Sequence, residues 1–110
     1  DYETWQLVAY NSKFNEDKLV LRIIGYPGNL RIDHPLNLNV ESGRKKWSLD
    51  DKTLSNEQLA NDGRQAAAEF DLDKLIKDIS QNRPLRLSLP GVFSELPVPP
   101  FLVKEWRSID

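Results

Sequence analysis

The sequence predicts a mainly β protein, an antiparallel β-sandwich or partly open barrel of about six strands. Several short segments alternate apolar and polar residues with the two-residue period of a β-strand. Turn-forming Gly, Pro, Asn and Asp residues separate these segments. A helical period is confined to residues 71–81 and 100–108. An α+β fold, with both helices on one face of a single sheet, is the alternative.

The chain is predicted to begin with an antiparallel β-hairpin. Residues 5–14 (WQLVAYNSKF) are rich in aromatic and β-branched residues, and residues 19–24 (LVLRII) follow a polar turn. Arg22 is the only polar residue of the second segment, which favours a central strand covered on both faces. Residues 25–29 (GYPGN) then predict a turn, and residues 30–32 a short strand.

A second hairpin is the most regular β pattern of the chain. Residues 36–41 (LNLNVE) alternate strictly, Ser42 and Gly43 turn the chain, and residues 46–49 return. Residues 50–65 are polar and lack a strong period, so we expect a surface excursion with one helical turn near residues 55–59.

The helix at residues 71–81 is predicted to cross between two strands. A short strand at residues 66–70 precedes it, although the alanines there permit a helix equally. Asp71 is placed to cap the helix, and Pro84 prevents its continuation. Residues 85–89 then alternate leucine with polar residues as a half-buried strand does. The apolar residues of the helix recur at i, i+3, i+4 and i+7: Leu72, Leu75, Ile76 and Ile79.

The last element is predicted to be a helix at residues 100–108 that packs on the sheet. Pro97 and Pro99 exclude a regular central strand from residues 91–100 and favour an irregular, extended path. Pro100 suits a first helical turn. A helix this short needs packing to persist in water, and its apolar stripe supplies the contact face. That stripe is Leu102, Val103, Trp106 and Ile109.

Composition bounds the class of protein. A chain of 110 residues is expected to form a single domain, 1–110. No apolar run approaches the roughly 20 residues that span a bilayer. The net charge of −2, with both signs well mixed, argues against a nucleic-acid partner. The absence of cysteine excludes disulfides and thiolate chemistry.

The sequence carries no catalytic or cofactor motif, so we predict a protein that is not an enzyme and holds no cofactor or metal. His34, the only histidine, lies in a turn and is expected to bond to the backbone. An enzyme that pairs His34 with a nearby acid is a further hypothesis. Asp50 and Asp51 are interpreted as a strand-end turn, because they lack the spacing of a calcium loop. The only basic run, residues 44–46, is interpreted as a solvated turn.

Recognition is expected on loops that a rigid scaffold holds. The candidate partner-binding residues are Tyr26, Pro27 and Asn29 in the first turn, and Phe93 in the loop after residue 89. The tryptophans are expected to build the core rather than to anchor a partner. They are Trp5, Trp47 and Trp106.

Three stretches together resemble a known family. They are IIGYPGNLRIDHPLNLNVESG (23–43), AEFDLDKLIKDI with RPLRLSLP (68–90), and LPVPPFLVKEW (96–106). They are similar to an uncharacterised, domain-of-unknown-function family of small cyanobacterial proteins that usually carry an N-terminal export signal. The resemblance implies a photosynthetic bacterium and an exported location, in the thylakoid lumen or periplasm. A chain that starts at Asp1 and lacks Met agrees with a processed export product, or with a trimmed chain.

We therefore expect a non-catalytic accessory or assembly module that docks on a membrane protein complex, which the resemblance implies to be photosynthetic. The alternative is a carrier of a small apolar ligand, a lipid or pigment, held between sheet and helices. The sequence leaves the partner and the oligomeric state open.

Overall fold

The computed structural model describes residues 4–26, 34–57, 59 and 67–109. Within these residues the chain forms seven strands, two α-helices whose bounds are both described, further helical residues at Glu57 and Leu59, and single turns of 3-10 helix at Lys13–Asn15 and Thr53–Ser55. The strands are β1 (Thr4–Ser12), β2 (Lys18–Tyr26), β3 (Leu38–Ser42), β4 (Lys45–Leu49), β5 (Ala67–Asp71), β6 (Leu85–Leu89) and β7 (Phe93–Val98). The helices are α1 (Asp73–Asp78) and α2 (Pro100–Arg107).

The strands pair antiparallel in two sheets. One sheet has the order β1-β2-β5 and the other the order β4-β3-β6-β7. The predicted mainly β, sandwich-like fold is confirmed, as are both hairpins and the central position of β2. The single-sheet α+β alternative is wrong, because the apolar faces of two sheets are buried against each other rather than under helices alone.

The two sheets are joined along their edges. After β4 the chain crosses to the free edge of β5, where Asp51 bridges to Phe70 and the amide of Lys52 donates to the carbonyl of Glu69 at 2.7 Å. On the opposite side, the ring of Trp5 in β1 packs against Phe93 in β7 with centroids 4.9 Å apart. A backbone link and an aromatic contact therefore hold the sheets together.

One apolar cluster fills the space between the sheets and helices. Its members come from both sheets and from α1 and α2, and burying each stabilises the fold by about 1.5–3 kcal/mol. Trp106 is buried in this cluster, as predicted, whereas Trp5 and Trp47 are only partly buried at its border. Side chains with no exposed surface include Leu21, Ile23, Leu38, Val40, Phe70, Leu75, Leu87 and Val103.

Helix α1 is shorter than the predicted range of 71–81. The amide of Asp71 bonds to the carbonyl of Asp50 at 2.9 Å, which keeps Asp71 in the sheet. Its carboxylate accepts a hydrogen bond from the amide of Asp73 at 3.1 Å, although Leu72 and not Asp71 is the N-cap residue of α1. Ile79 adopts an extended backbone with ψ of 138°, so the helix ends at Asp78. The tertiary pairing of the strand end outweighs the helical period of residues 71–81.

Residues 91–100 are more regular than predicted, since they contain β7. This strand lies at the edge of its sheet, which is where proline is tolerated because a missing N–H can face away from the ladder. An irregular register between Leu87 and Leu89, and a left-handed Glu95 with φ of 52°, mark the departure from an ideal strand.

The excursion after β4 differs from the prediction in its burial. Glu57 and Leu59 are helical, which agrees with the helical turn predicted near residues 55–59, and a 3-10 turn at Thr53–Ser55 precedes them. The start of the excursion is not on the surface. Thr53 and Asn56 are 3% and 2% exposed. The strand predicted at residues 30–32 lies outside the described residues.

Gly25 is required because Trp5 lies across it. A Cβ at position 25 would lie 2.6 Å from Cζ3 of the Trp5 ring, and Trp5 is itself backed by Phe93. We expect Gly25→Ala to lower the free energy of unfolding by about 1–3 kcal/mol, the usual effect of overpacking. Urea unfolding measures this. Combining Gly25→Ala with Trp5→Leu, which removes the clashing ring, should make the two losses less than additive, and strict additivity would contradict the clash.

Candidate functional site

A buried carboxylate lies on the outer face of the three-stranded sheet. The side chain of Glu69 in β5 is 1% exposed, and Arg22 occupies the register position beside it on β2. Both Nε and Nη2 of Arg22 lie 2.8 Å from Oε2 of Glu69. The hydroxyl of Tyr10 donates to the same oxygen and accepts from Nη2 of Arg22 at 2.8 Å. The side-chain amide of Asn56 donates to Oε1 of Glu69 at 3.0 Å. Three polar side chains from three parts of the chain therefore meet at one carboxylate.

This cluster determines the ionisation of its members. Burial, and then the bond to Glu69, raise the pKa of the Tyr10 phenol above 10.0. Burial by itself would lower the pKa of Arg22, but the bond to Glu69 and its charge outweigh burial and raise it. At neutral pH Tyr10 is thus a proton donor and Arg22 a cation. The guanidinium of Arg22 also lies 5.2 Å from the centroid of the Tyr10 ring.

A second buried carboxylate, that of Asp51, lies where the chain crosses between the sheets. Its side chain is 1% exposed. Oδ2 accepts from the amide of Leu36 at 2.9 Å and lies 2.7 Å from Nδ1 of His34. Oδ1 accepts from the amide and the hydroxyl of Thr53, at 2.9 and 2.5 Å. Burial alone would raise the pKa of Asp51, but the bonds from Thr53 and His34 lower it below 3.8.

One interpretation of this region is wrong and another is incomplete. Asp50 and Asp51 follow the end of β4, as the strand-end interpretation requires, but the carboxylate of Asp51 is buried and receives several hydrogen bonds. His34 meets that carboxylate instead of the backbone, and its side chain is only 15% exposed. Neighbouring Asp50 remains half-exposed and pairs with Lys74 at 3.5 Å.

Thr53 links the carboxylate of Asp51 to the backbone of Glu69. Its hydroxyl donates to Asp51 and accepts from the backbone amide of Glu69 at 2.9 Å. The resulting set of hydrogen bonds, here called the polar clamp, runs between His34 and Tyr10. It consists of His34, Asp51, Thr53, Glu69, Asn56, Arg22 and Tyr10. It fastens residues 51–56 onto the outer face of β5, which is a structural task.

A groove of about 490 Å³ lies at one end of the four-stranded sheet, beside the β3–β4 turn. Trp47 forms one wall, Ile79 supplies apolar surface, and the buried Leu85 lies at the base. The indole N–H of Trp47 donates to the carboxylate of Asp78 at 2.7 Å, which holds the ring in one orientation. We call this feature the Trp47 groove. Its lining residues are Ser42, Gly43, Arg44, Lys45, Trp47, Ile79, Ser80, Gln81, Arg83 and Leu85.

The border of the Trp47 groove is positively charged. Arg44, Lys45 and Arg83 line it and are exposed. In the part of the chain that the structure describes, none of the three forms an ion pair, and Arg83 bonds to the neutral side chain of Gln81 at 2.8 Å. Residues 44–46 were interpreted as a solvated turn, and they are exposed. Arg44 and Lys45 also line the Trp47 groove.

A second groove, of about 400 Å³, borders the polar clamp at Tyr10 and Arg22. Lys13 and Asp17 line it with opposite charges, so it has no uniform electrostatic character. Lys13 also lies 5.2 Å from the ring centroid of Phe14. This groove therefore selects less clearly for one class of ligand than the Trp47 groove does.

The predicted partner-binding residues are only partly located. Tyr26 is the last residue of β2 and its backbone pairs with Thr4, whereas Pro27 and Asn29 lie outside the described residues. Phe93 begins β7 and is half-buried against Trp5 rather than exposed in a loop. Replacing Phe93 would thus remove a contact between the sheets as well as a surface group.

Sequence reasoning missed both the polar clamp and the Trp47 groove. One signal for the clamp was present, because Arg22 and Glu69 are the single charges of the predicted strand segments 19–24 and 66–70, and such charges are almost never buried without a partner. The groove left no comparable signal, since its walls come from residues 42–47 and 79–85, which are distant in the chain.

Among the residues that the structure describes, no group of three or more His, Cys, Asp or Glu side chains is placed to hold a metal ion. No helix in those residues combines the length and apolar character needed to cross a membrane.

The chain matches a known protein family. The family described as "Protein of unknown function (DUF3122)" matches residues 1–109. No curated protein and no solved structure matches the chain.

Proposed function

The chain belongs to the DUF3122 family of proteins of unknown function, and from this premise we propose that it is a non-catalytic accessory module that docks on a membrane protein complex. The observation that carries the proposal is the Trp47 groove, a concave surface with a fixed aromatic side chain and cations at its border. Trp and Arg are enriched among the residues that dominate binding energy at protein interfaces.

Preorganisation of the groove supports a binding role. Trp47 is already held by Asp78, so a partner that packs on the ring does not have to immobilise it. Avoiding that ordering entropy contributes about 0.5–1.5 kcal/mol for each side chain. The groove also lies beside a tight hairpin turn and a regular sheet, which keep its walls in place.

The state of the buried acids supports a binding role over a catalytic one. Glu69 and Asp51 each accept hydrogen bonds from several protein donors, and His34 is held by Asp51. A proton-transfer role for either carboxylate would break contacts that hold residues 51–56 on the sheet. The exported location, in the thylakoid lumen or periplasm, and a photosynthetic partner complex are parts of the proposal that rest on the sequence resemblance.

Affinity capture from mildly solubilised membranes of the source cell tests the proposal. We expect wild-type protein to enrich one membrane protein complex, and Ser80→Trp to lower that enrichment about tenfold or more. Ser80 is exposed and lines the groove, so a tryptophan there occupies the groove without removing a core contact. Ser94→Trp, at an exposed position of β7, is the matched control and should capture normally.

The result separates the remaining alternatives. Normal capture by Ser80→Trp would contradict the groove as the docking surface and favour the candidate surface of Tyr26, Pro27, Asn29 and Phe93. If wild-type protein captures nothing, the docking proposal fails and the carrier of a small apolar ligand becomes the better hypothesis. Mass spectrometry of the purified protein under native conditions would then detect such a ligand.

A further inference from the structure

We infer that the Trp47 groove binds an extended acidic segment of a partner protein, one that alternates carboxylates with apolar side chains. This inference rests on the proposed docking function and specifies the chemistry of the partner. The groove offers two kinds of surface side by side: cations on its border, and the apolar surfaces of Trp47 and Ile79, with the buried Leu85 at its base.

The first argument is charge complementarity. The chain as a whole carries a net charge of −2, yet the groove border collects Arg44, Lys45 and Arg83. Arginine side chains bind carboxylates through paired N–H donors, which gives direction as well as attraction. A ligand with carboxylates is therefore favoured over a neutral or basic one.

The second argument is that the carboxylates near the groove have partners other than the groove cations. Glu41 lies 3.3 Å from Arg86 and 4.0 Å from Lys46, so it pairs with the cations that do not line the groove. Asp78 accepts from the indole of Trp47. Within the described part of the chain, these carboxylates leave the groove cations without an ion-pair partner, and an incoming acid meets them without displacing one.

The third argument is shape, which favours a peptide over an anionic membrane surface. Ile79 and Leu85 lie inside a concavity, and Trp47 is half-buried in its wall. A flat bilayer cannot fill a concave surface, whereas an extended chain can enter it with alternate side chains directed to opposite sides. Such a chain places apolar side chains on the groove wall and carboxylates on the border.

Two-dimensional NMR of the indole N–H groups provides a direct test. The probe is a short synthetic peptide with the repeat Glu-Leu-Asp, and the control peptide has Gln-Leu-Asn. The chain contains three tryptophans, so three indole signals are expected, and Trp47→Phe identifies the Trp47 signal by removing it. We expect the acidic peptide to shift this signal selectively, because Trp5 and Trp106 lie elsewhere in the fold.

Charge-reversal variants complete the test. The double variant Arg44→Glu and Lys45→Glu should weaken acidic-peptide binding about tenfold or more, and added salt should weaken wild-type binding. Lys104→Glu, an exposed cation on α2, is the matched control and should bind normally. Equal binding of both peptides, or full binding by the double variant, would overturn the inference. So would binding to phosphatidylglycerol vesicles that depends on these cations while the acidic peptide does not bind.

These results are separable from those on the proposed function. Membrane-complex capture that Ser80→Trp blocks but Arg44→Glu with Lys45→Glu leaves intact would keep the docking function and reject an acidic partner. Loss of capture in both variants, together with selective binding of the acidic peptide, supports both.

Discussion

Replacing Arg22 with Met should lower the free energy of unfolding by about 3 kcal/mol or more, because it leaves a buried carboxylate without its cation. The side chain of Glu69 is 1% exposed, so water cannot replace the guanidinium. Tyr10 and Asn56 remain as hydrogen-bond donors, but neither carries a positive charge. Urea unfolding monitored by circular dichroism measures the loss.

Two comparisons make this expectation specific. Arg86→Met removes the same side chain from an exposed ion pair with Glu41 and should change the free energy of unfolding by less than about 1 kcal/mol. Combining Arg22→Met with Glu69→Met should recover much of the loss, since an apolar pair of similar volume often replaces a buried ion pair without penalty. Equal losses of unfolding free energy for Arg22→Met and Arg86→Met would show that the burial of Glu69 does not depend on the charge of Arg22.

Replacing Asp51 with Ala should lower the free energy of unfolding by roughly 3–5 kcal/mol, because it leaves several donors unpaired at once. The amides of Leu36 and Thr53, the hydroxyl of Thr53 and the ring of His34 all meet this carboxylate. Asp50→Ala is the matched control one residue away. Asp50 is 48% exposed and lies 3.5 Å from Lys74, so its loss should change stability by less than about 1 kcal/mol.

The contribution of Asp51 should also depend on pH in a defined direction. Its folded-state pKa is lowered below 3.8, the net result of bonds from Thr53 and His34 that outweigh burial. A carboxyl with a depressed folded pKa stabilises the fold fully above its unfolded pKa, and loses that contribution as the pH falls through the folded pKa. The difference in stability between wild type and Asp51→Asn should thus shrink as the pH falls below 3.8. A difference that stays constant through this range would contradict the assignment.

The local elements of this protein were largely predictable from its sequence. The alternation in residues 36–41 and 85–89 corresponds to β3 and β6, and the stripe after Pro100 corresponds to α2. These predictions succeed because the period of apolar side chains and the positions of turn-forming residues are local properties of the chain. They fail where tertiary pairing competes, as at Asp71, which the edge of the three-stranded sheet keeps out of the helix.

Distant residues were brought together by the tertiary structure alone. The alternating pattern determined which faces of the strands are apolar, but it left open whether a second sheet or the helices bury them. It did not determine that Arg22 would pair with Glu69, that Asp51 would bridge to β5 where the chain crosses between the sheets, or that Trp47 and Arg83 would line the same groove. The physical reason is that charge pairing and groove formation depend on which strand edges meet. That choice is made by packing over the whole chain and not by any one segment.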